Sequence, residues 1–188
     1  MRKSLTAAII AASMFTLAAC GSGEDVDTAA EHNDADVTFA QEMIPHHEQP
    51  IRMAELAEAR AESQEVKALA ADIEAAQGPE IETMTDWLES WGEDVPDEDM
   101  SDMDHGDMSS DNMAGMMTED EMAELEAASG AEFDRKFLTM MIEHHEGAIE
   151  MAKTEQSEGE FPEAVEVAKE IERAQAEEIQ TMQDLLKS

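Results

Sequence analysis

The chain has 188 residues, enough for one domain, and carries 47 acidic against 11 basic residues, a formal net charge of −36 at pH 7. Such a surface repels nucleic acid and anionic headgroups, so the composition excludes a nucleic-acid-binding protein. The single cysteine excludes a disulfide framework.

Residues 1–19 have the pattern of a bacterial lipoprotein signal peptide. Arg2 and Lys3 precede an apolar run that is too short to span a bilayer, and small residues stand directly before Cys20. We expect cleavage before Cys20, lipidation of this cysteine, and a protein anchored in the cell envelope outside the cytoplasmic membrane. An ordinary secretory signal with an incidental cysteine is the alternative. Residues 20–35 are small and acidic, which predicts a flexible tether.

The remainder contains an internal repeat with a constant offset of 98 positions. Phe39–Ala54 matches Phe137–Ala152 at nine of sixteen positions, and Ile73–Leu88 matches Ile171–Leu186 at ten of sixteen. The alignment of the two copies needs no gap between the two blocks, so a unit of two segments has been duplicated. Apolar residues recur at three- and four-residue steps in these segments, which predicts amphipathic helices.

The first predicted hairpin covers residues 36–96. Its first helix runs over about residues 36–60, and Ser63 caps a second helix that Gly92 ends. Gly78-Pro79 predicts a break or kink within this second helix. The prolines expected to kink the first helix are Pro45 and Pro50.

The second predicted hairpin lies within residues 118–188. A capping box at Thr118–Glu121 starts a short helix that Gly130 should end. Two long helices follow, over about 131–156 and 162–186. Four long helices with short loops inside each repeat predict an all-α four-helix bundle built from two repeated helical hairpins.

The repeated stretch contains adjacent histidines with methionines at helical spacing. On a helix these side chains share an arc, although adjacent histidines cannot point the same way. Each repeat therefore offers two imidazoles and two thioethers, which need not form a single site. The candidate metal ligands are Met43, His46, His47 and Met53 in the first copy and Met141, His144, His145 and Met151 in the second.

The residues around the histidines favour a soft metal. Carboxylate-bridged di-iron bundles use Glu-x-x-His, but methionine and isoleucine stand three positions before the histidines here. The zinc-protease motif His-Glu-x-x-His is also missing from the sequence. Thioether and imidazole ligands suit Cu(I) or Ag(I). Because ligand imidazoles must be neutral, we expect affinity at the histidines to fall below about pH 6.5.

Residues 97–117 form an acidic linker with no helical stripe, expected to be disordered without a ligand. Such a segment could capture Cu(I) by wrapping it; a solvated acidic spacer is the alternative. Its candidate ligands are Met100, Met103, His105, Met108, Met113, Met116 and Met117.

Other residues shared by both copies have plainer interpretations. Methionines at helical spacing usually fill a core, which is the interpretation for Met84 and Met182. In so acidic a chain, repeated glutamates are expected on a solvated face. These are Glu48, Glu146, Glu80 and Glu178.

The pattern Phe-x-x-x-Met-Ile-x-His-His-x-x-x-Ile-x-Met-Ala, followed by Gln-x-x-x-Ile-x-x-Met, occurs twice. It resembles the bacterial domain-of-unknown-function family numbered 305 over about residues 36–188. The resemblance implies a ferritin-like bundle in an exported protein and, for some members, copper binding and copper tolerance, with the eight repeated His and Met residues matching the family's motif. The linker separately resembles methionine-rich segments of bacterial copper-resistance proteins.

These patterns favour a lipid-anchored, non-catalytic protein that buffers Cu(I) or delivers it to a copper-exporting or copper-accepting envelope protein. The main alternative is a metal-free structural or partner-binding bundle. A redox enzyme acting on copper would need an open coordination position, and no sequence feature demands one.

Overall fold

The computed structural model describes residues 31–96 and 113–188. Within these ranges the regular structure is entirely α-helical, which confirms the predicted fold class. No helix in the described part of the chain is long and apolar enough to cross a membrane. The helices are α1 (Asp34–Arg60), α2 (Gln64–Trp91), α3 (Glu119–Ala127), α4 (Ala131–Glu158) and α5 (Pro162–Leu185).

Several predicted features lie outside the described residues. They are the signal peptide of residues 1–19, the lipidation site Cys20, the tether up to residue 30, and Met100, Met103, His105 and Met108 of the linker. The last residues of the predicted tether are described. There, Asn33 caps α1 by accepting from the amides of Ala35 and Asp36, so the helix begins two residues before the expected position.

The predicted break at Gly78-Pro79 and the predicted end of the short helix at Gly130 need correction. α2 continues through Gly78-Pro79, because Pro79 is exposed and the carbonyl that loses its amide partner belongs to the exposed Ala75. Gly130 does not end α3, which stops at Ala127. It has φ +64° and precedes α4, and its amide donates to the carbonyl of Arg60, which ties the start of α4 to the end of α1.

The bundle interior consists of two apolar clusters. One lies where the C-terminal half of α1 meets the N-terminal half of α4, with Phe133 and Phe137 at its centre. The other lies at the opposite end, around Phe39 and Phe161. α1 packs against both α2 and α4, and α4 against α5. The two hairpins therefore join mainly through α1 and α4, which run antiparallel.

A buried polar layer separates the two apolar clusters. In each long helix the buried histidines and glutamines fall between the segment that joins one cluster and the segment that joins the other, whereas buried Asp36 and Glu155 lie at the end of the bundle, beyond the cluster around Phe39. Burying so many polar groups in mid-bundle is costly unless they are paired or bind a ligand. The layer contains His46, His47, Gln49, Gln77, His144, His145 and Gln175.

Two aspartates at equivalent repeat positions hold the hairpins together crosswise. Asp134 of α4 accepts from the amides of Glu62 and Ser63, at 3.0 and 2.9 Å, in the turn of the first hairpin. Asp36 of α1 accepts in the same way from the amides of residues 160–161, at 3.2 and 2.9 Å. Each hairpin thus caps the turn of the other.

The two aspartates differ in one neighbour. Asp36 faces Glu155, which replaces Ala57 at the equivalent position of the other repeat. Burial, a hydrogen bond with Asp36 and the charge of Asp36 raise the pKa of Glu155 to about 8. Burial opposes ionisation of Asp36 too, but its bonds from Asn33, Phe161 and Glu160 and with Glu155 lower its pKa overall.

Asp134→Ala should destabilise the metal-free protein by about 1–3 kcal/mol, because two turn amides, one exposed and one half-buried, lose a charged acceptor. Urea unfolding of the variant against the native protein measures this loss. Asp86→Ala, at an exposed position of α2, is the control and should change stability by less than about 0.5 kcal/mol. Equal stability of the two variants would contradict the crosswise role of Asp134.

Candidate metal centre

The centre of the polar layer is a pair of facing imidazole rings, one from each repeat. His46 of α1 and His144 of α4 have ring centroids 3.8 Å apart, with their planes tilted by 50°. Both residues are 0% exposed. The duplication and the antiparallel packing of α1 on α4 bring these two positions together, so the repeated motif forms one shared site.

The second histidine of each pair is also buried, and each has a carboxylate partner. His47 Nε2–H donates to Glu80 Oε2 at 2.7 Å, and His145 Nε2–H donates to Glu178 Oε2 at 2.6 Å. These glutamates lie on α2 and α5 at equivalent positions of the repeat. The two hairpins therefore build the same histidine–carboxylate pair.

The solvated-face interpretation is wrong for Glu80 and Glu178. Their side chains are only 26% and 22% exposed, and each reaches inward to a fully buried imidazole. Glu146, in contrast, is exposed as expected. A shared spacing could have identified Glu80 and Glu178, because each follows the second histidine of its repeat by 33 positions.

The hydrogen bonds of three histidines determine which ring nitrogen can bind a metal. His46 Nε2–H donates to the carbonyl of Ala114 at 3.1 Å, and His47 and His145 donate to carboxylates. Since these oxygens only accept, Nε2 carries the proton. When such a ring is neutral, its lone pair is on Nδ1, which is buried and has no hydrogen-bond partner among the described residues.

His144 differs because neither of its ring nitrogens has a hydrogen-bond partner within the described ranges. Its ring faces the backbone of His46, an interaction that slightly favours the protonated ring. Pro50 has no amide to donate to the carbonyl of residue 46, four positions earlier. The proline therefore leaves the carbonyl of residue 46 without its helical amide partner; at the equivalent position the second repeat has Ala148, which keeps its amide.

Burial keeps the central imidazoles neutral. Loss of hydration lowers the pKa of His46 to about 3, and the nearby His47 contributes in the same direction. The same loss of hydration, with His46 and His145 nearby, places the pKa of His144 well below its usual value. The pH of about 6.5 expected for proton competition is therefore too high for this pair, whose lone pairs stay available in acid.

The repeated methionines lie on both sides of the histidine layer. Met43 and Met151 belong to the cluster around Phe161, whereas Met53 and Met141 belong to the opposite cluster. Each cluster thus receives one repeated thioether from α1 and one from α4. The structure does not gather all four in one place.

Other methionines have the positions expected of core residues. Met84 and Met182 are 0% exposed and fill the two apolar clusters, as predicted. Met117, at the end of the predicted linker, is also buried in a cluster, and Met116 is half-buried. Residues 113–117 therefore pack on the bundle, in contrast to the disorder expected for the linker.

An acidic cleft of about 570 Å³ opens between α1 and α4 beside residues 113 and 114. Two thioethers, Met113 and Met151, are part of its wall. A cleft lined by one sign of charge concentrates cations. The acidic side chains that line it are Asp34, Glu42, Glu150, Glu155 and Glu158, of which Glu155 is neutral at pH 7 because its pKa is raised to about 8.

Over residues 31–96 and 113–188, no group of three or more His, Cys, Asp or Glu side chains is arranged to hold a metal ion. A hard, oxygen-rich or all-histidine site is therefore not preformed there. The remaining donor set is a close imidazole pair with thioethers in the adjoining clusters. That set matches the preference of soft monovalent ions.

Comparison with known proteins places this arrangement in a family. The family model "Domain of unknown function (DUF305)" matches residues 36–186. The chain belongs to the DUF305 family. No curated protein sequence matches it.

Solved DUF305 and CopM structures share the fold. A DUF305 protein from Streptomyces coelicolor is 32% identical with a TM-score of 0.72, over 81% of this chain and 92% of that chain. CopM in the Cu(II)-bound form is 35% identical with a TM-score of 0.68, over 81% and 95% of the two chains. CopM in the Cu(I)-bound form is 32% identical with a TM-score of 0.65, over the same shares. The bundle is therefore the DUF305 fold.

Proposed function

We propose that this protein binds copper, preferentially Cu(I), at the interface of its two repeats, and that it buffers or delivers the ion without catalysing a reaction. The observation that carries this proposal is the fully buried pair of His46 and His144, 3.8 Å apart. Nδ1 of His46 and both ring nitrogens of His144 are free of hydrogen bonds to the described residues. Buried polar atoms without partners are costly in a bundle, and a bound metal ion would satisfy them.

The second histidines would support this centre. In metal sites, a carboxylate that accepts from the outer imidazole nitrogen fixes the ring orientation and raises the basicity of the other nitrogen. Glu80 and Glu178 have this relation to His47 and His145. Thioethers from both clusters would complete the soft donor set, with Ag(I) as a second ion of the same class.

The similarity to CopM supports copper as the ion, since CopM is known in Cu(I)-, Cu(II)- and Ag-bound forms. The description of the Streptomyces coelicolor relative as a secreted protein supports a location outside the cytoplasm. Within that location, we propose a lipid anchor at Cys20. A copper-exporting or copper-accepting envelope protein would be the partner for delivery.

A competition titration of the mature protein with a Cu(I) chelator tests this function. We expect a bundle site that remains when residues 97–112 are deleted, with additional, weaker binding lost in that deletion. Binding of a native-state ligand must also raise the unfolding temperature. If the deletion variant retains no copper and its unfolding temperature is unchanged by copper, the metal-free structural bundle is the correct function.

Glu80→Gln with Glu178→Gln should lower Cu(I) affinity of the bundle site about 10–100-fold, because the imidazoles lose their carboxylate acceptors. The helical circular dichroism should be unchanged. Glu82→Gln with Glu177→Gln, at exposed positions of the same two helices, serves as the matched control. Equal affinities in the two double variants would show that the histidine–carboxylate pairs only stabilise the fold.

A further inference from the structure

Residues 113–117, here called the strap, cross the bundle surface above the histidine pair. The carbonyl of Ala114 accepts the Nε2–H of His46, and with the strap in place both central histidines are 0% exposed. We infer that the strap is a removable cover whose opening admits the metal ion to the centre. This inference rests on the proposed copper-binding function and concerns how that site is regulated.

Gln49 of α1 holds one end of the strap. Its side-chain amide donates to the carbonyl of Met117 at 2.8 Å, and its side-chain oxygen accepts from the amide of Met117 at 2.7 Å. Gln49 is only 3% exposed. Gln49 therefore binds the strap through both main-chain groups of Met117, the carbonyl and the amide, as a neighbouring β-strand would.

Gly147 of α4 provides the seat for the other end. A Cβ added at Gly147 would lie 1.9 Å from the carbonyl oxygen of Ala114 and 3.0 Å from the Cα of Gly115. Conversely, a Cβ on Gly115 would lie 2.5 Å from the carbonyl oxygen of Glu143. Gly115 also has φ +80°, a backbone conformation that favours glycine. The strap and α4 are therefore in backbone-to-backbone contact that only two glycines permit.

Gln49 and Gly147 occupy the same position in the two repeats, 98 residues apart. A mid-helix glycine costs stability relative to alanine, and a buried glutamine needs a partner. The packing of the bundle itself explains neither the glutamine nor the glycine. The strap explains both residues, because Gln49 of the first copy forms hydrogen bonds with it and Gly147 of the second copy leaves space for its backbone.

The strap has no bulky core of its own that would make docking permanent. Apart from Met117, its residues are half-buried or exposed. Removing the two hydrogen bonds of Gln49 should therefore shift the strap toward the open state. Since a ligand binds in proportion to the fraction of competent protein, uptake by the centre should rise with that fraction.

Stopped-flow uptake of Ag(I), chosen because it does not change oxidation state, tests the cover in the full mature chain. Gly147→Ala and Gln49→Ala should each take up Ag(I) at the bundle site about tenfold faster than the native protein, because each 1.4 kcal/mol of lost docking is a factor of ten. The control is Gly78→Ala, a mid-helix glycine whose added Cβ meets nothing within 4 Å and which should leave uptake unchanged.

Hydrogen exchange of the Met117 amide gives a readout independent of metal, and exchange should be faster in both strap variants than in Gly78→Ala. If the native protein takes up Ag(I) through His46 and His144 but the strap variants do so at the native rate, the cover is refuted and the copper-binding function stands. Slower uptake in both strap variants also overturns the cover, because it makes the strap part of the site. If the native protein takes up no Ag(I) at the histidines, the proposed function itself fails.

Discussion

Replacing His46 and His144 together by alanine should weaken Cu(I) binding at the bundle site by at least about a hundredfold. Loss of an outer-shell partner alone costs 10–100-fold in metal affinity, and this variant removes two direct donors. The remaining thioethers lie in two clusters on opposite sides of the layer, so they cannot replace the pair. Chelator competition at pH 7 measures the change.

The matched control is His32→Ala, which removes an imidazole stacked on Trp91 at the end of the bundle. It should leave Cu(I) affinity within about twofold of the native value. Circular dichroism should show that the double variant remains helical, since two apolar clusters still define the bundle. A folded double variant that keeps the native affinity would place the copper site elsewhere in the chain.

The native protein should lose stability in mildly alkaline solution, and Glu155→Gln should prevent this loss. The folded pKa of Glu155 is about 8, above its ordinary value of 4.5, so the folded protein holds a proton that the unfolded chain releases. This stabilisation is fully present below about pH 4.5 and disappears as the pH rises through 8. The native protein should therefore lose a few kcal/mol between pH 5 and pH 9 at this group.

Glutamine stays neutral and can still donate to Asp36, so the variant should match the native protein near pH 5 and exceed its stability near pH 9. The lowered pKa of Asp36 acts only in acid, below its ordinary value of 3.8, outside this range. Urea unfolding of metal-free protein at the two pH values measures the difference. Glu158→Gln, exposed on the same helix, should retain the native pH dependence. Parallel pH profiles for Glu155→Gln and native protein would refute the assignment.

Local sequence signals predicted the helices because their ends depend on nearby residues. Ser63 caps α2, Gly92 ends it with φ +77°, and the capping box at Thr118–Glu121 starts α3, all as expected. The constant offset of the repeat then required α1 and α4 to be equivalent. The meeting of His46 and His144 was not predicted from the sequence; the packing of α1 on α4 brings them together.

The features that were missed depend on contacts between segments distant in sequence. Gln49 and Gly147 differ between the repeats, so a comparison of matching positions passed over them. Their common partner is a strap 68 residues from Gln49, with no periodic pattern of its own. Glu80 and Glu178 were repeated, but acidic residues are so frequent in this chain that composition concealed their contact with histidine.

The crosswise caps of Asp36 and Asp134 have a consequence for how the two hairpins associate. In each hairpin the aspartate accepts from turn amides of the other hairpin and not of its own. Each hairpin therefore needs the other to complete its caps. This is the self-complementary surface of a twofold symmetric dimer. Because the two hairpins belong to one chain, their association does not depend on protein concentration, and equivalent positions need not be identical, as Gln49 and Gly147 show.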